Sequence, residues 1–297
     1  MARELASAAS ASSVHDPTLN ATPSKGDPMA LLPWMDGPSP EDLIPEGSSM
    51  ADAWSGPVLA DSGAAVPRGA RYDPRWTGIA HGPIDEAWAP SAVRIPDAVS
   101  TGLDEAWQQT VTDPRHREHG GNIVRTYGGR YAMHQGGPGL ETLYDGDESD
   151  IGRLQDHVGI VHTHPYFKEK SDHAGFSGGD FTNMTSHNVP LSLLRSGSNT
   201  TYMLARTKQF QHQLDAIEKT YDGNGEALEE KRRAFSAGME GTYDAAFEAA
   251  LKQNKGDFPA AVEAVGVAVA TKYHLLYYKG TGANLHRIGG GPPVRSQ

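Results

Sequence analysis

The sequence predicts an α/β domain in which a mixed β-sheet is flanked by helices. The stretch from Val158 to His164 is an almost continuous apolar strand, which is typical of a central position in a sheet. A hairpin with a Gly128-Gly129 turn precedes this strand, and stretches of helical periodicity lie on both sides of it. Together these three observations indicate helices packed on a sheet.

The first 96 residues have a different character. Residues 1–96 are rich in Ala, Ser, Pro, Gly and Asp and show no sustained hydrophobic period. Such a segment cannot offset its ordering entropy by burial. We therefore expect 1–96 to be a low-complexity, largely disordered leader, either a simple tail or a segment for export or docking, with Trp76 and Trp88 packing onto the folded part. The folded domain is expected over 97–297.

The domain is predicted to begin with a helix and a hairpin. The helix opens at Pro96-Asp97 and ends at Asp113-Pro114. Its apolar residues recur every four positions and so share one face: Val99, Leu103, Trp107 and Val111. The hairpin strands run from Ile123 to Tyr127 and from Arg130 to His134.

The second half of the chain is mostly helical. A helix is predicted from Asp180 to His187 and a strand from Thr201 to Arg206. Helical spacing then recurs three times, and we interpret 208–272 as a helical insertion between strands of the same domain. A closing hairpin is predicted from Leu275 to Tyr278 and from Leu285 to Ile288.

Composition excludes several function classes. The formal charge of −11 and the lack of a Lys/Arg stripe disfavour nucleic acid as a partner. No apolar run is long enough for a membrane span, and no secretory signal peptide is visible. Because the chain has no cysteine, a metal ion would have to be held by histidine and carboxylate.

Two histidines of the apolar strand carry the chemistry. His162 and His164 are two residues apart, so both imidazoles project from the same face of the strand, and Pro165 ends it. Asp180, just before a predicted helix, can add a carboxylate as third ligand. Two histidines and one carboxylate leave a fourth zinc position for water, which is the pattern of a catalytic site.

Hydrolysis also needs a proton acceptor. Glu118 lies at the start of the first hairpin strand, followed closely by Gly120-Gly121, which allow a close approach of backbone and substrate. We expect Glu118 to be the general base; Glu141 and Glu148 are alternatives. Ser177 can donate to the oxyanion, or it is an ordinary residue at the N-terminus of a helix.

The arrangement Glu118 … His162-x-His164-Pro165 … Ser177-x-x-Asp180 resembles the signature of the JAB/MPN zinc metalloproteases, also called JAMM. The context of Glu118 is similar to JAB-like domains of bacterial Rhs-type and other polymorphic toxins. The resemblance covers roughly 97–206 and the last hairpin. It implies a JAB/MPN-like, cytidine-deaminase-like fold, with Glu118 as base, Ser177 as oxyanion donor, and His162, His164 and Asp180 as ligands of Zn²⁺.

The chain departs from the family pattern in one loop. Tyr166 to Phe176 is longer than the corresponding family segment, and it contains Asp172 and His173. Either residue is therefore an alternative to Asp180 as the third ligand.

The resemblance implies a zinc-dependent hydrolase that cleaves peptide or isopeptide bonds, with a ubiquitin-like conjugate or a peptidoglycan peptide among the substrates to expect. A bacterial effector of this kind would be made in the cytoplasm and secreted by a non-Sec route into a target cell. Its partners would then include an immunity protein or a secretion-system component. Two alternatives stay open: a non-catalytic adaptor of a secretion system and a metal-dependent nuclease.

Overall fold

The computed structural model describes residues 73–115, 117–126, 128–139, 155–165, 174–186, 189–197, 199–221 and 223–290. Six α-helices lie in these ranges: α1 Pro74–Ala80, α2 Asp97–Thr112, α3 Gly178–Ser186, α4 Lys208–Thr220, α5 Gly225–Gln253 and α6 Phe258–Lys272. The strands are β1 Ala92–Arg94, β2 Gly120–Thr126, β3 Tyr131–Gln135, β4 Gln155–His164, β5 Leu191–Ser196, β6 Thr200–Arg206, β7 Leu275–Thr281 and β8 Asn284–Gly289.

The strands form one mixed sheet in the order β1-β8-β7-β6-β5-β4-β2-β3. The pairing of β4 with β5 is parallel, and the other pairings are antiparallel. The predicted α/β class with a mixed sheet is therefore confirmed. β4 lies between β2 and β5, which explains its continuous apolar sequence, because a strand with neighbours on both edges and helices over both faces has no wet side.

The folded region extends N-terminally of the predicted boundary at residue 97. Asp73 caps α1 by accepting a hydrogen bond from the backbone N–H of Arg75 at 3.0 Å. Trp76 and Ile79 of α1 are buried, and β1 pairs with β8 at the edge of the sheet. Residues 73–96 are therefore part of the fold, whereas Trp88 is 81% exposed. The rest of the predicted leader, 1–72, lies outside the described residues.

Side-chain alternation along the strands divides the interior into two clusters. We call the side packed by α1 and α2 the α2 face; its buried residues include Trp76, Val99, Leu103, Val161, Leu193 and Met203. We call the opposite side the insertion face; its buried residues include Phe176, Phe181, Leu194, Leu204, Phe235 and Val265. Neighbouring residues of one strand, such as Leu193 and Leu194, thus serve different clusters.

Three helices form the insertion. α4, α5 and α6 lie within the range 208–272, between β6 and β7, which are neighbours in the sheet. Each helix starts with a side-chain cap, from Thr207, Asn224 and Asp257 respectively. In the part of the chain that the structure describes, none of the helices combines the length and apolarity needed to cross a membrane.

Candidate metal centre

The two histidines and the aspartate converge on the insertion face. The Nε2 atoms of His162 and His164 are 3.2 Å apart. Asp180 places Oδ1 3.0 Å from Nε2 of His162 and Oδ2 3.2 Å from Nε2 of His164. These three residues form a group that could bind a metal ion. With zinc–ligand bonds of about 2.0–2.1 Å, tetrahedral geometry separates ligand atoms by roughly 3.3 Å, so the donor atoms are already near the required spacing.

The pKa values of the two histidines are shifted in opposite directions. Burial would raise the pKa of Asp180, but the charges and hydrogen bonds of His162 and His164 hold it well below its usual value. Burial would also lower the pKa of His162, but Asp180, with a further contribution from Glu118, raises it. For His164 burial prevails, and its pKa is lowered. One positive charge is thus favoured beside the carboxylate, and a second is disfavoured.

The start of α3 fixes the carboxylate. Ser177 precedes the helix, and both its backbone N–H and its hydroxyl donate to Oδ2 of Asp180, at 2.7 and 2.8 Å. This contact agrees with the interpretation of Ser177 as an ordinary residue at the N-terminus of a helix. In the structure its hydroxyl orients the carboxylate of Asp180. The role of oxyanion donor stays a prediction.

Glu118 lies beside the group. It is 4% exposed and sits two residues before Gly120, which pairs with His162 across β2 and β4. Alternation along the extended chain places the Glu118 side chain on the insertion face, and its charge contributes to the raised pKa of His162. The other candidates for base or ligand lie outside the described residues: Glu141, Glu148, Asp172 and His173.

Gly121 lies close to the backbone of β3, whereas the predicted close approach of Gly120-Gly121 to substrate stays a prediction. A Cβ atom on Gly121 would lie 1.9 Å from the carbonyl oxygen of His134 on β3. No side chain fits in that space, so the glycine allows β2 and β3 to pair directly after the Glu118 segment.

Aromatic side chains form an apolar wall behind the histidines. The ring of Phe176 is 5.9 Å from that of His162 and 6.0 Å from that of Tyr277. Tyr277 is fully buried, and its hydroxyl lies so close to Gly175 that a Cβ there would be 2.2 Å away. Such surroundings exclude water from this side and strengthen electrostatic interactions inside the centre. The sequence pattern did not indicate this wall, because β7 lies about 100 residues from Phe176 in the chain.

The insertion supports the helix that carries Asp180. A Cβ atom on Gly178 would lie 3.4 Å from Cγ of Glu240 and from the ring of Tyr243, both on α5. Further along α3, Thr185 is hydrogen-bonded to Ser236 of α5. The helical insertion is thus part of the scaffold of the centre. Sequence reasoning missed this because the contacts join segments far apart in the chain.

A cavity of about 450 Å³ opens at the other end of β4 and contains none of the candidate residues. Polar side chains that line it already have protein partners. Arg125 pairs with Asp156 at 3.5 Å, and Nε of Arg206 donates to the carbonyl of Met184 at 3.1 Å. Next to the candidate metal centre, Ser177 is half-buried and Gly179 is exposed. Chemistry, and not cavity size, therefore identifies the candidate site.

Comparison with known proteins gives no assignment. The chain matches no family model, and neither a curated protein nor a solved structure is significantly similar to it. Its function is argued from the residues of the centre.

Proposed function

We propose that this protein is a zinc-dependent hydrolase of peptide or isopeptide bonds of the JAB/JAMM type. One observation carries the proposal: the donor atoms of His162, His164 and Asp180 lie within about 3 Å of one another, with the buried carboxylate of Glu118 beside them. Two histidines joined by one carboxylate is a ligand set that catalytic zinc sites use.

The donor chemistry fits zinc. Imidazole nitrogen and carboxylate oxygen suit a borderline cation, and three protein ligands leave one coordination position open. A zinc ion held there supplies Lewis acidity, which lowers the pKa of a coordinated water to about 7 and polarises a carbonyl. The apolar wall formed by Phe176 and Tyr277 would keep that chemistry in a low-dielectric environment.

Glu118 is the proton carrier in this proposal. It accepts a proton from the attacking water and returns it to the leaving amine, which makes one carboxylate act as base and then as acid. Its burial keeps the carboxylate beside the centre and away from bulk solvent. Ser177 supports the proposal as the residue that orients Asp180, and as an oxyanion donor if its hydroxyl turns toward substrate.

The substrate class rests on the resemblance. The order Glu118, His162-x-His164-Pro165, Ser177-x-x-Asp180 is similar to the JAB/JAMM signature, whose members cleave peptide and isopeptide bonds. The likeness to JAB-like domains of polymorphic toxins further suggests a bacterial effector. An immunity protein or a secretion-system component would then be a natural partner.

Metal analysis combined with a substrate panel tests the proposal. We expect one zinc per chain and hydrolysis of peptide or isopeptide substrates that a chelator abolishes and zinc restores. Glu118→Gln should keep the zinc and lose about 10²–10⁴ in rate. Glu105→Gln, an exposed glutamate of α2, is the matched control and should keep both.

Each contrary outcome has a defined meaning. Stoichiometric zinc without hydrolysis of any substrate would support the adaptor. Plasmid nicking that requires the metal would support the nuclease. A protein that binds no zinc, or a Glu118→Gln variant with normal turnover, would overturn the assignment.

A further inference from the structure

Asp113 lies at the end of α2 and contacts the residues on both sides of Glu118. Its Oδ2 accepts a hydrogen bond from Nε of Arg117 at 2.8 Å and lies 3.1 Å from Nε2 of His119. Its Oδ1 accepts from the backbone N–H of Arg115 at 2.8 Å. The two residues that flank Glu118 are thus both held by one carboxylate.

These contacts determine the direction of the Glu118 side chain. In extended chain, alternate side chains project to opposite sides. Because Arg117 and His119 turn back toward α2, the side chain between them turns to the insertion face, where Glu118 is buried and acts on His162. The contacts of Arg117 and His119 fix the backbone on both sides of Glu118, so its side chain leaves the chain toward the insertion face.

The neighbouring backbone is fixed as well. The N–H of His119 donates to Oγ1 of Thr163 at 3.0 Å, and that hydroxyl is hydrogen-bonded to Thr110 of α2 at 2.5 Å. Thr163 is the residue between His162 and His164. The Nδ1 atom of His119 lies 3.2 Å from Oε1 of Gln109. α2 therefore supports both the Glu118 segment and the strand that carries the histidines.

We propose that Asp113 is a positioning residue that holds Glu118 toward the metal centre through Arg117 and His119. The inference rests on the proposed function and adds to it a residue outside the centre that governs proton transfer. The carboxylate suits this role because hydrogen bonds lower the pKa of Asp113 to about 2. The largest contribution comes from the backbone N–H of Arg115, and the side chains of His119 and Arg117 add to it. Asp113 therefore stays charged, and charge-assisted hydrogen bonds are stronger and shorter than neutral ones.

A double-mutant cycle tests the proposal. Asp113→Asn keeps the shape and an acceptor for the N–H of Arg115 but loses the charge. We expect kcat to fall roughly 10²-fold, as a misplacement of about 1 Å in a catalytic group can cause, with KM and zinc content unchanged. In a Glu118→Gln background the same change should have no further effect, because the group that it positions is already disabled. Asp113→Glu should restore part of the rate.

Asp104→Asn is the matched control. Asp104 is another carboxylate of α2 that ties the helix to the sheet, through Arg195 of β5, but it does not touch the Glu118 segment. Its loss should leave kcat within a few-fold of the parent. Equal losses in Asp113→Asn and Asp104→Asn, or a full additional loss in the Glu118→Gln background, would show that Asp113 only stabilises the helix and would overturn the proposal.

Hydrogen exchange separates this inference from the proposed function. In Asp113→Asn the amides of 117–119 should exchange faster, while those of His162 and Thr163 in the strand interior keep their protection. Unchanged exchange at 117–119 would show that Asp113 does not hold this segment, even in an active enzyme. Absence of zinc and of hydrolysis in the parent protein would instead overturn the proposed function, whatever the exchange shows.

Discussion

The two faces of the sheet at β4 handle polar groups in opposite ways. On the insertion face His162 and His164 converge with Asp180, and all three direct donor atoms at one another across about 3 Å. On the α2 face Thr163, one residue away, is bonded to Thr110 and to the backbone of His119. The first arrangement leaves room for a cation among its donors, and the second is closed by its own hydrogen bonds.

The difference shows how one strand can provide both the candidate ligands and the residues that support them. The two-residue period of a strand sends the histidines to one side and the residue between them to the other. The α2 face can therefore be rigid without crowding the centre. Rigid support of this kind keeps catalytic groups within the small tolerance that chemistry requires.

The largest effect is expected when a proposed metal ligand on the insertion face is removed. His162→Ala is expected to lose zinc binding and all detectable hydrolysis, because the remaining histidine and carboxylate hold zinc far more weakly. His157→Ala is the control, since His157 lies on the same strand at its other end. Zinc content by metal analysis and turnover on the best substrate measure the effect. Normal turnover in His162→Ala would refute the ligand assignment.

Substitutions at two adjacent leucines test whether the two faces of the sheet act separately. Leu193 and Leu194 of β5 are both fully buried, Leu193 paired with Val161 and Leu194 with His162. Replacing either by Ala should lower the free energy of unfolding by about 2–5 kcal/mol, through lost burial and the cavity left behind. Only Leu194→Ala, on the insertion face, should also weaken zinc binding. Denaturant unfolding and zinc competition, both at a temperature where the variants are folded, would reveal whether the faces act separately.

Much of this arrangement could be predicted from the sequence, because it depends on local periodicity. The alternation of His162 and His164, the hairpin glycines and the helical spacing of 208–272 all express short-range patterns. β5 escaped prediction because all six of its residues are buried, and its buried Arg195 is paired with Asp104 from a distant part of the chain. No periodicity signals such a strand.

The support of the site was equally hidden. Asp113 was predicted only as the end of a helix, since its partners Arg117 and His119 become meaningful once the chain turns back on α2. The N-terminal boundary was set too late for a similar reason. Trp76 is buried as predicted, but Ile79 is buried by residues from other parts of the chain, and a composition rich in Ala, Ser and Pro conceals the helix that carries both.

A substitution at Ser177 distinguishes its two roles. Ser177→Ala removes the hydroxyl that donates to Asp180 and keeps the backbone donor. If the hydroxyl mainly orients the ligand, zinc affinity should fall about 10–100-fold. If it mainly stabilises the oxyanion, as the sequence predicts, turnover should fall about 10²–10³-fold with zinc affinity unchanged. Zinc competition and kcat measured on one preparation decide between these outcomes, and Thr182→Ala on the same helix is the control.

The smallest effect is expected at a contact away from both clusters. Nδ1 of His274 lies 2.9 Å from Oε1 of Glu86. This hydrogen bond is the main reason why the pKa of the imidazole is raised above 6.5, although burial acts in the opposite direction. A raised folded-state pKa adds stability that is complete below the unfolded value of about 6.5 and is lost as the pH rises through the folded-state pKa.

Glu86→Gln should therefore cost a few tenths of a kcal/mol at pH 5, because His274 is partly exposed and solvent screens the pair. The difference from the parent should vanish above the folded-state pKa of His274. Urea unfolding at pH 5, 7 and 9 measures it, and Glu105→Gln controls for the loss of an acidic side chain. A difference that does not decrease as the pH rises would mean that the contact does not depend on the imidazolium.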